Sequence, residues 1–234
     1  MTEAASCFHA PAFGGGGSSR GVGNWGPYLL CAAAVAGLLW AERRGSRAGV
    51  WVAKPVASLA FLWAALAAGA LETTYGQLVL LGLVLCLLGD LLLIPLERPV
   101  VFRAGVFAFL AGHVAYSAAF VTQPISLAGL FAAAVLLALV LGGVLRWLAP
   151  SLPKGMAGSV RAYMVVIGLM SALACGVTAA GGPWAVAVGA LAFTASDISV
   201  ARDRFVRDEF VNRAWGLPLY YAAQLLIAST PALV

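Results

Sequence analysis

The sequence predicts an all-α protein, a polytopic bundle of about eight transmembrane helices, and three observations predict it. Of 234 residues 62% are hydrophobic and only 10% are charged, whereas soluble domains carry roughly 25%. So little charge cannot cover a water-facing surface, and the solvent for most of the chain is lipid. The apolar residues fall in runs of about 20, the length a helix needs to cross a hydrocarbon layer. The period-two alternation of a barrel strand is absent, which leaves helices as the structures that satisfy their own backbone in lipid.

Residues 1–23 form a Gly/Ser-rich tail containing Gly14-Gly15-Gly16-Gly17-Ser18-Ser19. The tail lacks the charged start and apolar core of a signal peptide and reads as disordered. Residues 24–234 read as a single transmembrane domain. Its expected spans are 24–41, 53–71, 76–95, 103–122, 125–148, 161–180, 183–201 and 214–232. The loops between them are short and carry turn residues, such as Glu72-Thr73-Thr74, Gln123-Pro124 and Gly181-Gly182-Pro183. Gly82 and Gly89 in span 3, and Gly105 and Gly112 in span 4, suit close helix–helix contact.

Orientation follows from the basic residues. Arg43, Arg44, Arg47 and Lys54 flank the first loop, Arg98 and Arg103 the third, Arg146, Lys154 and Arg161 the fifth. Arg202, Arg204, Arg207 and Arg213 flank the seventh, and the other side has only Arg20. Cytoplasmic loops concentrate Lys and Arg, so the odd loops are expected in the cytoplasm and both termini outside it. The net charge of +5 is thereby a topology signal, not a nucleic-acid footprint. Cys7, Cys31, Cys86 and Cys175 lie far apart without a C-x-x-C pair, which indicates neither a disulfide framework nor a zinc site.

Most of the nine acidic residues lie in loops or the tail, but Asp90 and Asp197 sit inside apolar runs. An aspartate at a span centre costs about 2.5–3.5 kcal/mol on insertion scales and normally faces the bundle interior with a partner. Each lies five or six residues from the cytoplasmic end of its span, a depth of roughly 7–9 Å. Two carboxyls at one depth can line one cavity. Other polar residues share that inner half of the membrane: Lys54, His113, Tyr116, Tyr163, Ser196, Asn212, Tyr220, Tyr221 and Gln224. Phe109, His113 and Tyr116 form an i, i+4, i+7 stripe on one helix face. Plainer readings stand beside these. Tyr163, Tyr220 and Tyr221 also suit an interfacial aromatic belt, His113 a satisfied core position, and Lys54 a snorkelling or pairing cation. Gly-Asp90-Leu-Leu and Ser-Asp197-Ile-Ser, four spans apart, suggest a four-plus-four parallel repeat.

With these residues in view the chain resembles the YhhN-like lysoplasmalogenase family of integral membrane proteins. The matching pieces are Lys54-Pro55, Leu88-Gly89-Asp90-Leu91-Leu92-Leu93 and Gly105-x-x-x-Phe109-x-x-Gly112-His113-x-x-Tyr116. Tyr163-Met164, Gly189 through Asp197, Arg204-Phe205 and Tyr220 through Ala228 come next, in the family's order. The resemblance implies a membrane hydrolase that cleaves the vinyl-ether bond of a lysoplasmalogen, giving a fatty aldehyde and glycerophosphoethanolamine or glycerophosphocholine.

A vinyl ether is cleaved by protonating its β-carbon, which makes an oxocarbenium ion that water then attacks. Such chemistry needs a donor that keeps its proton near neutral pH and an anion to steady the cation. Paired carboxyls divide these roles in glycosidases. Asp90 and Asp197 are the expected pair, with His113, Tyr116, Tyr221 and Gln224 positioning water and the ether oxygen. Lys54 and Asn212, nearer the headgroups, are the expected phosphate ligands. The expected partners are the lysophospholipid and membrane lipid; no cofactor and no metal are expected, since His113 is the one histidine in the spans. Two other classes use buried carboxylates or bind lipid: a proton-coupled small-solute transporter and a non-catalytic lipid-binding protein.

Overall fold

The computed structural model describes residues 25–95, 98–153 and 155–234. The expected tail, Arg20 and Lys154 lie outside the described residues. Among the described residues eight α-helices succeed one another: α1 Gly26–Arg44, α2 Arg47–Ala67, α3 Thr74–Leu92, α4 Pro99–Val121, α5 Leu127–Leu148, α6 Ala157–Ala179, α7 Trp184–Phe205 and α8 Phe210–Ser229. Short 3-10 turns, Ala149–Ser151 and Thr230–Leu233, extend the ends of α5 and α8. The described residues hold no strand.

By length and apolarity six of these helices can cross a bilayer, α2 through α7. The two outside that set are the more polar ones. α1 ends in Glu42-Arg43-Arg44, and α8 carries Asn212, Arg213, Tyr220, Tyr221 and Gln224. The protein is thus a membrane helical bundle with six to eight spans.

The helices run past the apolar segments at the arginine-rich end. Ser46 caps α2 by accepting from the Gly49 amide, so the helix starts at Arg47 and places Lys54 two turns inside it. Likewise α8 begins at Phe210, so Asn212 belongs to its first turn instead of preceding it. Hydropathy ends where charge begins, but a capped helix continues through charged residues when their side chains find partners.

Consecutive helices pair as hairpins, α1 with α2, α3 with α4, α5 with α6 and α7 with α8. Across these pairs α8 packs on α2, and α4 packs on α6. Glycine sets the closeness of α3 and α4. A Cβ at Gly82 would lie 2.4 Å from the Tyr116 ring, and one at Gly89 would lie 2.7 Å from the Phe109 ring. The main core holds Phe61, Leu83, Tyr116, Phe120, Phe193, Tyr221 and Ile227, all fully buried. By contrast α5 is peripheral, 11% buried against 50% for α6 and α7, and exposes Phe131, Val135, Leu136 and Leu139. An apolar face of that kind is solvated by lipid.

Candidate functional site

A cavity of about 360 Å³ opens at the arginine-rich end of the bundle. It is lined by the early turns of α2, α4, α6 and α8 and the late turns of α3 and α7. Its wall is mixed. Leu93, Phe102, Val106, Val160, Met164 and Leu217 are apolar, while Lys54, Asp90, Tyr163, Ser196, Asp197, Asn212 and Tyr220 are polar. Both aspartates therefore border one void.

Asp90, on α3, is 2% exposed and surrounded by donors. Tyr220 and Ser58 each donate a hydroxyl to Oδ2 at 2.7 Å. Lys54 Nζ stands 3.5 Å from Oδ1. Ser58 is four residues after Lys54, so both project from one face of α2. A carboxyl that receives two hydroxyl hydrogen bonds beside an ammonium has partners suited to its ionised form.

Asp197, on α7, has a different setting. The Tyr163 hydroxyl donates to Oδ2 at 3.2 Å, and His113 Nε2 stands 3.3 Å from the same oxygen. The imidazole is fully buried and stacked on Phe193 with ring centroids 4.3 Å apart. Its Nδ1 lies 2.7 Å from the Phe109 carbonyl oxygen. A carbonyl can only accept, so Nδ1 carries the hydrogen and Nε2 is the nitrogen turned toward Asp197. Close as it is, Nε2 is not aligned for a hydrogen bond with that oxygen. One partner of Asp197 is thus a group that can itself take or give a proton.

Four of the expected site residues form a layer behind the cavity wall. His113 reaches Asp197 from there. Tyr116 donates to Gln224 Oε1 at 2.7 Å, both side chains being fully buried. Tyr221 backs Ser58, with the two hydroxyl oxygens 3.4 Å apart, and reaches the Lys54 carbonyl at 3.3 Å. On the wall itself, Ser196 donates to the Phe193 carbonyl at 2.7 Å. Asn212 borders the cavity, but its amide is already bonded to Arg202, Asp203 and the Arg207 carbonyl.

Sequence reasoning misses Ser58, although its i+4 spacing from Lys54 is an available signal. It also misses the rim, where Arg213 gathers Glu42, Asp203 and Asp208. In the sequence these carboxylates look like ordinary loop charges. Among the described residues no group of three or more His, Cys, Asp or Glu side chains could hold a metal ion.

Fold and site together define a multi-pass membrane protein with an acid-lined internal cavity. More narrowly, the chain belongs to the YhhN family, whose family model matches residues 49–230. It is similar to lysoplasmalogenase TMEM86A of Bos taurus, 32% identical over 156 residues, covering 64% of this chain and 63% of that protein. Against lysoplasmalogenase TMEM86A of Homo sapiens it is 33% identical over 157 residues, with 64% and 63% coverage. Lysoplasmalogenase TMEM86B of Sus scrofa is 33% identical over 211 residues, covering 88% of this chain and 86% of that protein. The match thus spans less than two thirds of the length of the two TMEM86A proteins. No solved structure matches the chain.

Proposed function

We propose that the protein hydrolyses the vinyl-ether bond of lysoplasmalogens, releasing a fatty aldehyde and a glycerophospho-alcohol. The observation that carries this reading is the contrast between two carboxyls on one half-apolar cavity. Asp90 is surrounded by Lys54, Ser58 and Tyr220, partners that suit a carboxylate, whereas Asp197 stands beside the imidazole of His113. The similarity to proteins named lysoplasmalogenase supplies the substrate class.

In this mechanism Asp197 gives its proton to the β-carbon of the alkenyl chain. The π electrons form the new C–H bond, and the adjacent carbon becomes an oxocarbenium ion. The Asp90 carboxylate stabilises that cation, a preorganised charge in a site of low dielectric. Water then adds to the oxocarbenium carbon, and its proton returns to Asp197. The hemiacetal then breaks its C–O bond to the glycerol as Asp197 protonates the leaving glycerol oxygen and takes back the hemiacetal hydroxyl proton, leaving an aldehyde and an alcohol. His113 acts through Asp197: a small rotation that aligns Nε2 with the carboxyl lets the imidazole exchange the proton with it. Apolar residues such as Val106, Val160 and Met164 receive the alkenyl chain. The cavity faces the cytoplasmic leaflet in the orientation that the arginine distribution favours.

Mass spectrometry of lysoplasmalogen incubated with purified protein in detergent micelles tests this directly. Free aldehyde should accumulate with time and enzyme. A micelle has no second compartment, so turnover there also separates an enzyme from a transporter. Intact substrate after prolonged incubation with folded protein would remove the reading.

A further inference from the structure

Three described cations line the cavity: Lys54, Arg204 and Arg213. Lys54 is paired with Asp90, and Arg213 with Glu42, Asp203 and Asp208. The neighbouring Arg202 and Arg207 are both held by Glu209. Arg204 differs from all of these. It is exposed and has no carboxylate partner among the described residues. Its guanidinium instead lies over the Phe102 ring, 4.3 Å from the centroid. Stacking on an aromatic face restrains a guanidinium while leaving its N–H fork free along the edge. A planar fork of that kind, restrained and without a carboxylate on it among the described residues, is suited to two oxygens of a phosphodiester.

Distance agrees with chemistry. Arg204 comes seven residues after Asp197 on α7, two turns along one face, or roughly 10 Å. In a lysoplasmalogen the vinyl-ether carbon and the phosphorus are separated by the glycerol, roughly 7 Å when extended. An arginine side chain leaning back toward the cavity closes the remainder. We propose that Arg204 anchors the phosphate of the bound lysophospholipid at the cavity mouth, a role that rests on the lysoplasmalogen reading. It takes the place expected for Lys54 and Asn212, whose polar groups are already engaged inside the protein. Recognition thus falls to a group outside the proton chemistry.

The test separates binding from turnover. A saturated 1-O-alkyl-glycerophosphoethanolamine has no alkene to protonate and reports binding alone, and 1-O-alkylglycerol is the same ligand without phosphate. Affinity of the full chain in detergent is measured for wild type, Arg204→Ala and Arg204→Lys, with Arg204→Gln as a second variant should the alanine form misfold. The alkyl phospholipid should bind Arg204→Ala about ten-fold or more weakly, with partial recovery in Arg204→Lys. Binding of alkylglycerol should be unchanged. Equal losses for the two ligands, or no loss, overturn the anchor. So does binding of sn-glycerol 3-phosphate as tight as that of the lipid, which would make this a site for free phosphate esters. With the cleavable vinyl ether, Arg204→Ala should raise KM about ten-fold and leave kcat within about three-fold. Should wild type bind the analogues as expected but release no aldehyde, the anchor stands and the hydrolase reading falls.

Discussion

Tyr220 donates to Asp90 and His113 reaches Asp197, and the chain interval from His113 to Tyr220 equals that from Asp90 to Asp197. Lys54 on α2 and Tyr163 on α6 add a second matched pair, one against each aspartate. The packing of α8 on α2 and of α4 on α6 obeys the same scheme. We read these correspondences as support for the four-plus-four repeat, with α1–α4 answering to α5–α8. The halves differ in chemistry. One aspartate received a lysine and two hydroxyls, the other an imidazole and a phenol.

On the proposed reaction that difference would separate the roles of two otherwise similar side chains. Both Asp90→Asn and Asp197→Asn should lose aldehyde release by about 10²-fold or more while remaining folded. On the proposed mechanism an added small carboxylate distinguishes them. Formate, an anion near neutral pH, should restore activity to Asp90→Ala, whose missing group would be the stabilising anion, and leave Asp197→Ala, which would lack the donor, inactive. Rescue of the Asp197 variant alone would exchange the assignments.

His113 contributes without bordering the cavity. Replacement by Gln should lower kcat about ten-fold or more and change KM less than about two-fold, because on the proposed mechanism the residue would act on the proton and not on lipid binding. Parallel changes in both parameters would point to simple disruption of the Phe193 stack.

Removing the ammonium beside Asp90 should be felt in stability. Breaking a buried ion pair from one side typically costs about 3–5 kcal/mol. Lys54→Met should therefore lower the melting temperature in detergent, and Lys54→Met/Asp90→Asn should regain much of the loss. A double variant no more stable than the single would show that the pair is not coupled.

Gly82 is the position where α3 admits the Tyr116 ring. Gly82→Val should push Tyr116 away from Gln224, costing about 1–3 kcal/mol through overpacking, with aldehyde release reduced in proportion to folded protein. Gly142→Ala on α5, where nothing lies within 4 Å of an added Cβ, should leave the melt unchanged.

Topology can be read with reporters. Fusions after Val234 should be active only with a reporter that works outside the cytoplasm. Fusions in the loop after Arg44 should require a cytoplasmic one. The opposite pattern would place the cavity in the other leaflet.

Much of the bundle is legible in the sequence because lipid imposes a length on each apolar run, and all eight expected segments coincide with helices. Their ends on the arginine-rich side are less legible. Ser46 and the Asn212–Arg202–Asp203 cluster extend helices through charged residues that hydropathy treats as loop. Asp90 and Asp197 stand out because an acid in an apolar run is expensive. Ser58 does not, since a serine in a span is ordinary until its partner is known. Similarly, Tyr116 looks free to meet a ligand, yet its hydroxyl bonds Gln224 Oε1, a pairing across distant helices that spacing along the chain does not encode.

The mixed lining of the cavity bears on how the products of the proposed reaction leave. Their solubilities are opposite. A long-chain aldehyde gains roughly 0.8 kcal/mol for each methylene it keeps in hydrocarbon, so it partitions sideways into the leaflet. The glycerophospho-alcohol, stripped of its chain, escapes past the rim into water. Divergent exits of this kind make recombination negligible and draw the reaction forward without any input of metabolic energy.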